Sequence, residues 1–281
     1  MSLSTSVGSD RVCSEHARSW LLVNATRVDG FDAAHASDAD QIVLDIEDAV
    51  MPELKPAARA DAARWLEHGT AWVRINDYTT PFWSDDIDEL RDLPGLAGVM
   101  LAKTESAEQI TDTFERLGGR TPIIALVESA QGIEEATRIA SARGTFRLAF
   151  GSGDYRRDTG ASADDLAMAY PRSRLVVASR IGTLPGPIDG PTLGNNRRAL
   201  RKQAAKTVSL GLTGKLCLDP GQAPLINESL TPSPAEITWA SNFLADFESR
   251  GRTFRDGSDL PLLSRAQKIA RLSAVFRTNL T

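Results

Sequence analysis

Cysteines, histidines and long apolar runs are scarce in this sequence. The two cysteines, Cys13 and Cys217, lie far apart and form no CxxC pair, a pattern that favours a reducing cytoplasm over a disulfide-linked exterior. A membrane-spanning helix requires about eighteen consecutive apolar residues, and no segment of this sequence has such a run. Residues 1–11 are polar and Ser-rich, without the apolar core of a secretory signal. We therefore expect a cytoplasmic protein that does not span a membrane.

The overall composition is that of a globular protein with a real core. Hydrophobic residues make up 42% of the 281 residues and charged residues 25%. The net charge of −5 offers no basic surface, so we do not expect nucleic acid as a partner. The length is compatible with one domain or two.

Short apolar runs rich in β-branched residues alternate with stretches of helical periodicity, which predicts repeated βα units and a parallel sheet. The predicted strands are Trp20–Asn24, Ile42–Ile46, Ala71–Ile75, Gly98–Ala102, Ile123–Val127, Phe146–Phe150, Leu184–Ile188 and Lys215–Leu218. The predicted helices are Arg27–Ser37, Pro56–Glu67, Trp83–Asp92, Ala107–Leu117, Gln131–Arg143, Ala163–Ile181, Asn195–Leu210 and Pro234–Arg250. Eight alternating units favour a closed α/β barrel, the TIM or (β/α)8 barrel, over an open sheet.

The chain after the eighth strand predicts a C-terminal helical extension. Pro220–Pro234 has the composition of a Pro-rich loop, and Gly251–Gly257 that of an exposed link to a last helix at Leu262–Phe276. We expect a barrel domain over residues 1–250 and an extension over 251–281 that packs on a neighbouring subunit.

Carboxylates follow the predicted strands, where the open face of a barrel collects its catalytic groups. The strand ends carry Asp45, Glu47 and Asp48, then Arg74 and Asn76, Lys103 and Glu105, Glu128, Asp154, Asp189 and Asp219. A single carboxylate there is commonly a helix cap or a first-turn residue. So many carboxylates on one face repel each other unless cations neutralise their charge. Their number therefore indicates a metal site flanked by Arg and Lys.

The metal follows from the available ligands. His16, His35 and His68 all lie away from the carboxyl ends of the predicted strands. An all-oxygen ligand set favours Mg²⁺ or Mn²⁺ over zinc or iron. The same distribution argues against a mechanism with a histidine base.

Six motifs in this order resemble the HpcH/HpaI aldolase and citrate lyase β-subunit superfamily, which includes malyl-CoA and citramalyl-CoA lyases. They are Asp45-Ile-Glu47-Asp48-Ala-Val, Arg74-Ile-Asn76, Lys103-Thr-Glu105-Ser, Val127-Glu128-Ser129, Gly151-Ser-Gly-Asp154, and Gly214-Lys215 through Gln222. The likeness runs from about Arg18 to the C-terminus. No single tripeptide among them is specific, but the six in order are.

The resemblance implies a TIM barrel, usually trimeric, that binds Mg²⁺ through Glu128 and Asp154. It also implies a substrate that is a malyl, citramalyl or citryl thioester of coenzyme A or of an acyl carrier protein. Such a thioester is cleaved at a carbon–carbon bond to acetyl thioester and a 2-oxo acid. Under this interpretation Arg74 binds substrate and stabilises oxyanion charge as the bond breaks.

Five further rim residues have two interpretations each. Glu47 and Asp48 either orient Arg74 or water at the metal, or cap the second helix. Lys103 either contacts a carboxylate or neutralises Glu128, and its alternative role is an ion pair of the rim. Arg156 and Arg157 are candidates for binding coenzyme A phosphates, or are simply solvated.

The C-terminal segment Asp256-Gly-Ser-Asp259-Leu-Pro resembles the part of the family whose aspartate enters the site of a neighbouring subunit. This resemblance implies that Asp259 exchanges a proton with the acetyl carbon. The alternative is that Asp259 caps the last helix.

The sequence departs from the family at two positions. Asn24-Ala25 replaces Pro-Gly after the first strand, and Leu218-Asp219-Pro220 replaces Ile-His-Pro after the eighth. Because Asp219 replaces the family's histidine, one alternative is a catalytically inactive subunit or binding protein that keeps the fold. A class II aldolase acting on free 2-oxo acids is the other alternative, and it normally requires a histidine base.

Overall fold

Eight parallel strands pair in chain order and close into a barrel in this computed structural model, which describes residues 11–276. The strands are β1 (Ser19–Asn24), β2 (Gln41–Asp45), β3 (Ala71–Ile75), β4 (Leu96–Leu101), β5 (Ile123–Val127), β6 (Thr145–Phe150), β7 (Ile188–Asp189) and β8 (Gly214–Cys217). Closure is between β1 and β8, where Ser19 pairs with Lys215. The predicted (β/α)8 barrel is confirmed, while most of the polar segment at residues 1–11 lies outside the described residues.

Helices follow the strands along the described chain. They are α1 (Asp29–His35), α2 (Lys55–Leu66), α3 (Pro81–Leu90), α4 (Ala107–Arg116), α5 (Ala130–Ser141), α6 (Ser152–Thr159), α7 (Ala169–Ile181), α8 (Arg197–Ser209), α9 (Ala223–Leu230), α10 (Pro234–Ser249) and α11 (Asp259–Val275), with short 3-10 helices at Pro52–Leu54 and Pro220–Gln222. Ser106 begins α4 and Ser233 begins α10 with capping boxes, which satisfy the first free N–H groups. Within residues 11–276, no helix has both the length and the apolar character to cross a bilayer.

Alternate residues of each strand point into the barrel and out towards the helices. Val43, Trp72 and Leu126 belong to the apolar cluster inside the barrel, whereas Leu44 and Val127 belong to the cluster between the strands and the helices. The residue two positions after each inward residue also points inward. Asp45, Arg74 and Glu128 stand at those positions, so all three face the interior at the carboxyl end of the barrel.

The amino-terminal end of the barrel is filled by a buried arginine. Arg147 donates to the carbonyl oxygens of Ala17 at 3.0 Å and Gly186 at 2.7 Å and to the hydroxyl of Thr213 at 2.8 Å. Its guanidinium lies 5.5 Å from the ring centroid of Trp20. Burial lowers the pKa of Arg147 to about 9. This packing closes one end of the barrel and leaves the carboxyl end for a substrate.

The predicted seventh strand is wrong in position. β7 is only Ile188–Asp189, not Leu184–Ile188. Pro185 and Pro187 have no N–H to donate, so the sheet pairing begins after them. The shift places Asp189 inside the strand, pointing away from the barrel interior.

Two predicted helical segments also need correction. The predicted helix Ala163–Ile181 corresponds to α7, which begins only at Ala169. The sequence did not predict α6, which precedes it and ends at Gly160 in the left-handed conformation with φ of 73°. The predicted loop Pro220–Pro234 contains α9, which packs on the barrel. Prolines are tolerated in the first turn of a helix, and Pro224 lies there in α9.

The last two helices form a hairpin with an apolar cluster of its own. Ile237, Ala240 and Phe243 of α10 pack there with Ala266 and Ile269 of α11. Both ends of the hairpin lie near the amino-terminal end of β1. Just before β1, Arg18 donates to Thr231 at 2.6 Å, close before α10, and stacks 4.1 Å from the ring centroid of Phe276 at the end of α11.

The predicted start of the last helix at Leu262 is late, since α11 begins at Asp259. The division of the chain into residues 1–250 and 251–281 stays a prediction. In the structure α10, which was assigned to the barrel, has its main packing partner in α11.

Candidate active site

A cavity of about 460 Å³ opens at the carboxyl ends of β3 to β6. Its lining is polar and mostly charged, and comprises Asp77, Thr79, Lys103, Glu105, Gln109, Glu128, Ser129, Asp154, Arg157 and Asp158. Three predicted site residues, Lys103, Glu128 and Asp154, therefore line one cavity. Five carboxylates face two cations there, which leaves a strongly negative site.

Glu128 is held at the end of β5 by the backbone of the neighbouring strand end. Its Oε1 accepts a hydrogen bond from the Lys103 N–H at 2.9 Å. Lys103 adopts φ of 49°, a conformation that is uncommon for a residue with a side chain and that marks a constrained turn. Burial raises the pKa of Glu128 to about 8, and the charge of Asp154 acts in the same direction. A cation in the cavity would reverse this effect and favour the ionised carboxylate.

Gly151 leaves the space that the Glu128 carboxylate occupies. A Cβ atom at Gly151 would lie 2.1 Å from Glu128 Oε2, too close for any side chain. Asp154 follows in the first turn of α6, where its carboxylate pairs with Arg157 at 3.0 Å. Glycine at residue 151 therefore lets β6 and α6 bring Asp154 next to Glu128.

These residues fit Mg²⁺. Within residues 11–276 there is no cluster of three or more His, Cys, Asp or Glu side chains with metal-binding geometry. Mg²⁺ usually keeps several waters and takes one or two protein carboxylates, so the pair Glu128 and Asp154 is a sufficient donor set.

Arg74 is held in one orientation beside the cavity. Its Nε and Nη2 both donate to the Asp45 carboxylate at 2.7 Å, and its Nη1 lies 3.6 Å from Glu47. Asp45 and Arg74 pair across β2 and β3, so their inward side chains are neighbours. Burial opposes the charge, but the carboxylate of Asp45 outweighs it and raises the pKa of Arg74 above its usual value. Nη1 is the guanidinium nitrogen that does not bind Asp45.

Lys103 links this arginine cluster to the cavity. Its ammonium donates to Glu47 and, at 3.0 Å, to Asp48. Burial raises the pKa of the Glu47 carboxyl, whereas for Asp48 the hydrogen bond from Lys103 outweighs burial and lowers the pKa. Lys103 therefore forms an ion pair at the rim, and its contact with a substrate stays a prediction. The interpretation of Glu47 and Asp48 as caps of the second helix is wrong. Neither α2 nor the short 3-10 helix before it has a side-chain hydrogen bond at its N-cap position.

Comparison with known proteins matches both parts of the chain. Residues 18–220 match the HpcH/HpaI aldolase/citrate lyase family, and residues 235–277 match the HpcH/HpaI aldolase C-terminal domain. The chain belongs to the HpcH/HpaI aldolase/citrate lyase family. The family resemblance seen in the sequence motifs is confirmed.

Several named relatives align with most of this chain. A citrate lyase subunit beta-like protein of Mycobacterium tuberculosis is 33% identical over 90% of this chain and 94% of its own. An L-malyl-CoA/beta-methylmalyl-CoA lyase of Cereibacter sphaeroides is 30% identical over 86% of this chain and 89% of its own. Among solved structures, protein CitE of M. tuberculosis in complex with magnesium, acetoacetate and coenzyme A aligns with a TM-score of 0.79. The alignment with that structure has 28% sequence identity and covers 92% of this chain and 99% of the CitE chain.

Two carboxylates expected at the rim, Asp189 and Asp219, do not line the cavity. Asp189 is buried outside the barrel, where it accepts from Arg172 at 2.8 Å and Thr207 at 2.6 Å and lies 3.7 Å from Lys215. Asp219 caps the 3-10 helix that follows β8 by accepting from the Gly221 N–H at 2.7 Å. Both have local structural roles.

Asp259 stands at the turn of the C-terminal hairpin, away from the cavity lining of its own chain. It occupies the first turn of α11, with Ser258 at the N-cap position, so the cap interpretation is wrong in detail. Its carboxylate contacts Arg250 at 3.2 Å and Arg255 at 2.9 Å.

Sequence reasoning did not assign a site role to Asp45 or Gly151. Asp45 was visible as a strand-end carboxylate, but its pairing with Arg74 depends on the strand register. Gly151 lay within a quoted motif, and its role depends on the approach of Glu128 in three dimensions.

Replacing Gly151 with alanine is expected to weaken Mg²⁺ binding by roughly 10- to 100-fold, because the added methyl group displaces the Glu128 carboxylate. The measurement is a calorimetric Mg²⁺ titration. Gly153→Ala is the matched control, since a Cβ at residue 153 meets nothing within 4 Å. Equal Mg²⁺ affinities for Gly151→Ala and wild type would show that the close approach is not needed.

Proposed function

We propose that this protein is a Mg²⁺-dependent carbon–carbon lyase that cleaves a 3-hydroxy dicarboxylic or tricarboxylic acyl thioester to acetyl thioester and a 2-oxo acid. The observation that carries the proposal is that Glu128 and Asp154 line one cavity beside an arginine held by Asp45. The family and the names of its relatives support lyase chemistry on coenzyme A thioesters. The malyl, citramalyl and citryl thioesters are the proposed substrates.

The proposed reaction needs positive charge at two places. Cleavage breaks the bond between the acetyl carbon and the hydroxyl-bearing carbon. The hydroxyl loses its proton as it becomes the carbonyl of the 2-oxo acid, and the electron pair left on the acetyl carbon takes up a proton. Mg²⁺, when bound at Glu128 and Asp154, supplies charge that polarises the substrate's hydroxyl and carboxylate oxygens.

Arg74 is proposed to stabilise the negative charge that develops on oxygen as the bond breaks. Asp45 holds the guanidinium through two hydrogen bonds, so Nη1 is aimed before the substrate arrives. Lys103 is proposed to bind a substrate carboxylate, with Glu47 and Asp48 orienting it. The preset orientation lowers the reorganisation needed in the transition state.

The acetyl carbon still needs a group that gives or takes its proton, and we propose that Asp259 of a second copy supplies it. The hairpin of α10 and α11 starts and ends beside the amino-terminal end of β1, opposite the cavity. α10 has 16 residues and spans about 24 Å. The buried apolar residues of α10 belong to the cluster of the hairpin, an arrangement that would let the turn reach another subunit.

Exposed apolar residues on both surfaces support this contact between copies. Met51, Leu166 and Leu193 are exposed on loops at the carboxyl end of the barrel, and Phe254 and Leu260 are exposed at the hairpin turn. Their burial against each other would exclude water from the acetyl carbanion. A homo-oligomer, with the trimer of the family resemblance as the proposed form, would place each hairpin over a neighbour's cavity.

The shared site predicts that two inactive variants restore activity together. Asp259→Asn chains and Glu128→Gln chains, mixed and allowed to exchange subunits, should recover lyase activity, because some sites then combine an intact barrel with an intact hairpin. The recovered activity is expected at roughly a quarter of the wild-type value or less, since only part of the sites are complete. If exchange is verified and no activity returns, Asp259 does not act between copies.

The proposed activity is tested directly with thioesters. The purified protein is incubated with Mg²⁺ and malyl-, citramalyl-, methylmalyl- or citryl-CoA, and release of the 2-oxo acid is measured. We expect release from at least one of them, and its loss when EDTA removes the metal. Protein that binds Mg²⁺ but releases no 2-oxo acid from any of the four would contradict the proposal and favour an inactive binding protein.

A further inference from the structure

The carboxylate of Asp259 is held by two arginines of its own hairpin. Oδ2 accepts from the Arg255 backbone N–H at 2.8 Å and from Arg250 Nη1 at 3.2 Å. Oδ1 accepts from Arg255 Nη2 at 2.9 Å, and Arg255 Nε lies 3.3 Å from both oxygens. Arg255 therefore grips the carboxylate with its fork of donors and with its main chain, which restricts the direction of the carboxylate.

The two arginines differ in their surroundings. Arg250 is largely buried and also donates to Asp246 at 3.0 Å, so it is tied into the packing of α10. The Arg255 side chain is 56% exposed, while the Asp259 side chain is 2% exposed. Arg255 therefore lies at the surface beside Asp259. A change at Arg255 can alter the carboxylate without removing packing from the hairpin.

The charges around Asp259 favour its ionised form. Hydrogen bonds from Arg255 hold the pKa of Asp259 well below its usual value. The other charged groups nearby are Arg250 and Asp246 on α10 and Asp256 in the turn, and Asp246 lies 3.8 Å from Arg255. An aspartate in this setting begins a reaction as a carboxylate.

We propose that Arg255 is a positioning residue for Asp259, which holds the carboxylate in the direction needed to remove a proton from the acetyl group of the thioester. This inference rests on the role proposed above for Asp259. In the step, a methyl C–H bond of the acetyl group breaks and the proton passes to a carboxylate oxygen. The electron pair stays on the acetyl carbon, which in the condensation direction forms a bond to the carbonyl carbon of the 2-oxo acid. The π bond of that carbonyl breaks, and its oxygen takes up a proton from solvent to become the hydroxyl of the product.

Oδ1 is the oxygen that fits this task. Oδ2 has the main-chain N–H and Arg250 in addition to the Arg255 side chain, whereas Oδ1 has only the Arg255 side chain. A carboxylate oxygen has two lone pairs, and Oδ1 has one short donor, Arg255 Nη2 at 2.9 Å, besides the longer Nε contact at 3.3 Å. Its second lone pair is therefore the less engaged one and is the one proposed to take the incoming proton. The grip of Arg255 on Oδ1 sets where that lone pair points.

The test follows the proton itself. Acetyl-CoA is incubated in D2O with the oligomeric protein, Mg²⁺ and oxalate in place of the 2-oxo acid, and deuterium entry into the acetyl methyl group is measured by mass spectrometry. Arg255→Gln should lower the maximal exchange rate by about tenfold, with the KM for acetyl-CoA unchanged within about twofold, because Arg255 acts through Asp259 and not on the thioester. Arg255→Lys should recover part of the rate, since it keeps the charge but not the fork.

Arg252→Gln is the matched control. Arg252 lies in the same turn and is 72% exposed, but it pairs with Glu248 and does not contact Asp259. Its exchange rate should stay within about twofold of the wild type. Thermal melting of each variant shows whether the hairpin remains folded.

The outcomes separate this inference from the proposed function. If Asp259→Asn abolishes exchange while Arg255→Gln exchanges at the wild-type rate, Arg255 does not position Asp259 and the inference is overturned. If Asp259→Asn exchanges as fast as wild type, or if the Mg²⁺-loaded wild type shows no exchange, the proposed role of Asp259 itself is contradicted. If Arg255→Gln unfolds the hairpin, the folded Arg255→Lys variant decides the question. Full activity of Arg255→Lys with an unchanged KM would show that only the positive charge is required, and it would reject the directional role of Arg255.

Discussion

Glu128→Gln is expected to lower lyase activity by about three orders of magnitude, because it removes the charge of a proposed Mg²⁺ ligand on which the proposed reaction depends. The side chain is buried, and its Oε1 is held by the Lys103 N–H. Glutamine has nearly the same shape, so the hydrogen bond can remain while the charge is lost. The measurement is steady-state cleavage of the active thioester with a parallel Mg²⁺ titration.

Glu105→Gln is the matched control for Glu128→Gln. Glu105 lines the same cavity, but its carboxylate accepts a hydrogen bond from Ser129, and we do not assign it to the metal. Its activity should stay within about tenfold of wild type. A Glu128→Gln enzyme that binds Mg²⁺ as tightly as wild type would remove Glu128 from the metal site.

Arg74→Lys is expected to lower kcat by roughly two orders of magnitude while Mg²⁺ affinity stays close to that of wild type. Lysine keeps the positive charge but cannot form the two parallel hydrogen bonds with Asp45, so the remaining donor is no longer aimed. The measurements are kcat for cleavage and the calorimetric affinity for Mg²⁺.

Arg120→Lys, on an exposed surface turn, should leave both of these quantities unchanged. Near-normal kcat in Arg74→Lys would show that Arg74 only balances the charges of Asp45 and Glu47. A parallel loss of Mg²⁺ binding would instead assign Arg74 to the construction of the metal site.

The parts of the fold that the sequence predicted are those governed by local patterns. The apolar alternation of β2, β3 and β5 places Asp45, Arg74 and Glu128 on the inward face, because each follows an inward apolar residue by two positions. The same rule explains why Asp189 was misplaced. Once the prolines shift β7 to Ile188–Asp189, Ile188 points inward and Asp189 points towards the helices.

Other features depend on contacts that a local pattern does not contain. The segment Pro220–Pro234 has loop-like composition, but α9 is stabilised there by burial of Leu225 and Ile226 against the barrel. Gly151 matters because Glu128 lies against it, and this approach depends on how β5 and β6 pair. The packing of α10 on α11 depends on Phe243 and Ile269 meeting across the hairpin. Helical periodicity predicted both helices but not which surface each one covers.

Glu128 and Asp154 are proposed to hold the divalent cation on which the lyase reaction depends. The most direct measurement is a crystal structure of the protein grown with Mn²⁺ in place of Mg²⁺, with anomalous difference density recorded for the metal. We predict one strong peak in the cavity, at about 2.2 Å from a carboxylate oxygen of each residue and octahedrally coordinated. An occupied metal site that excludes both carboxylates would contradict the account.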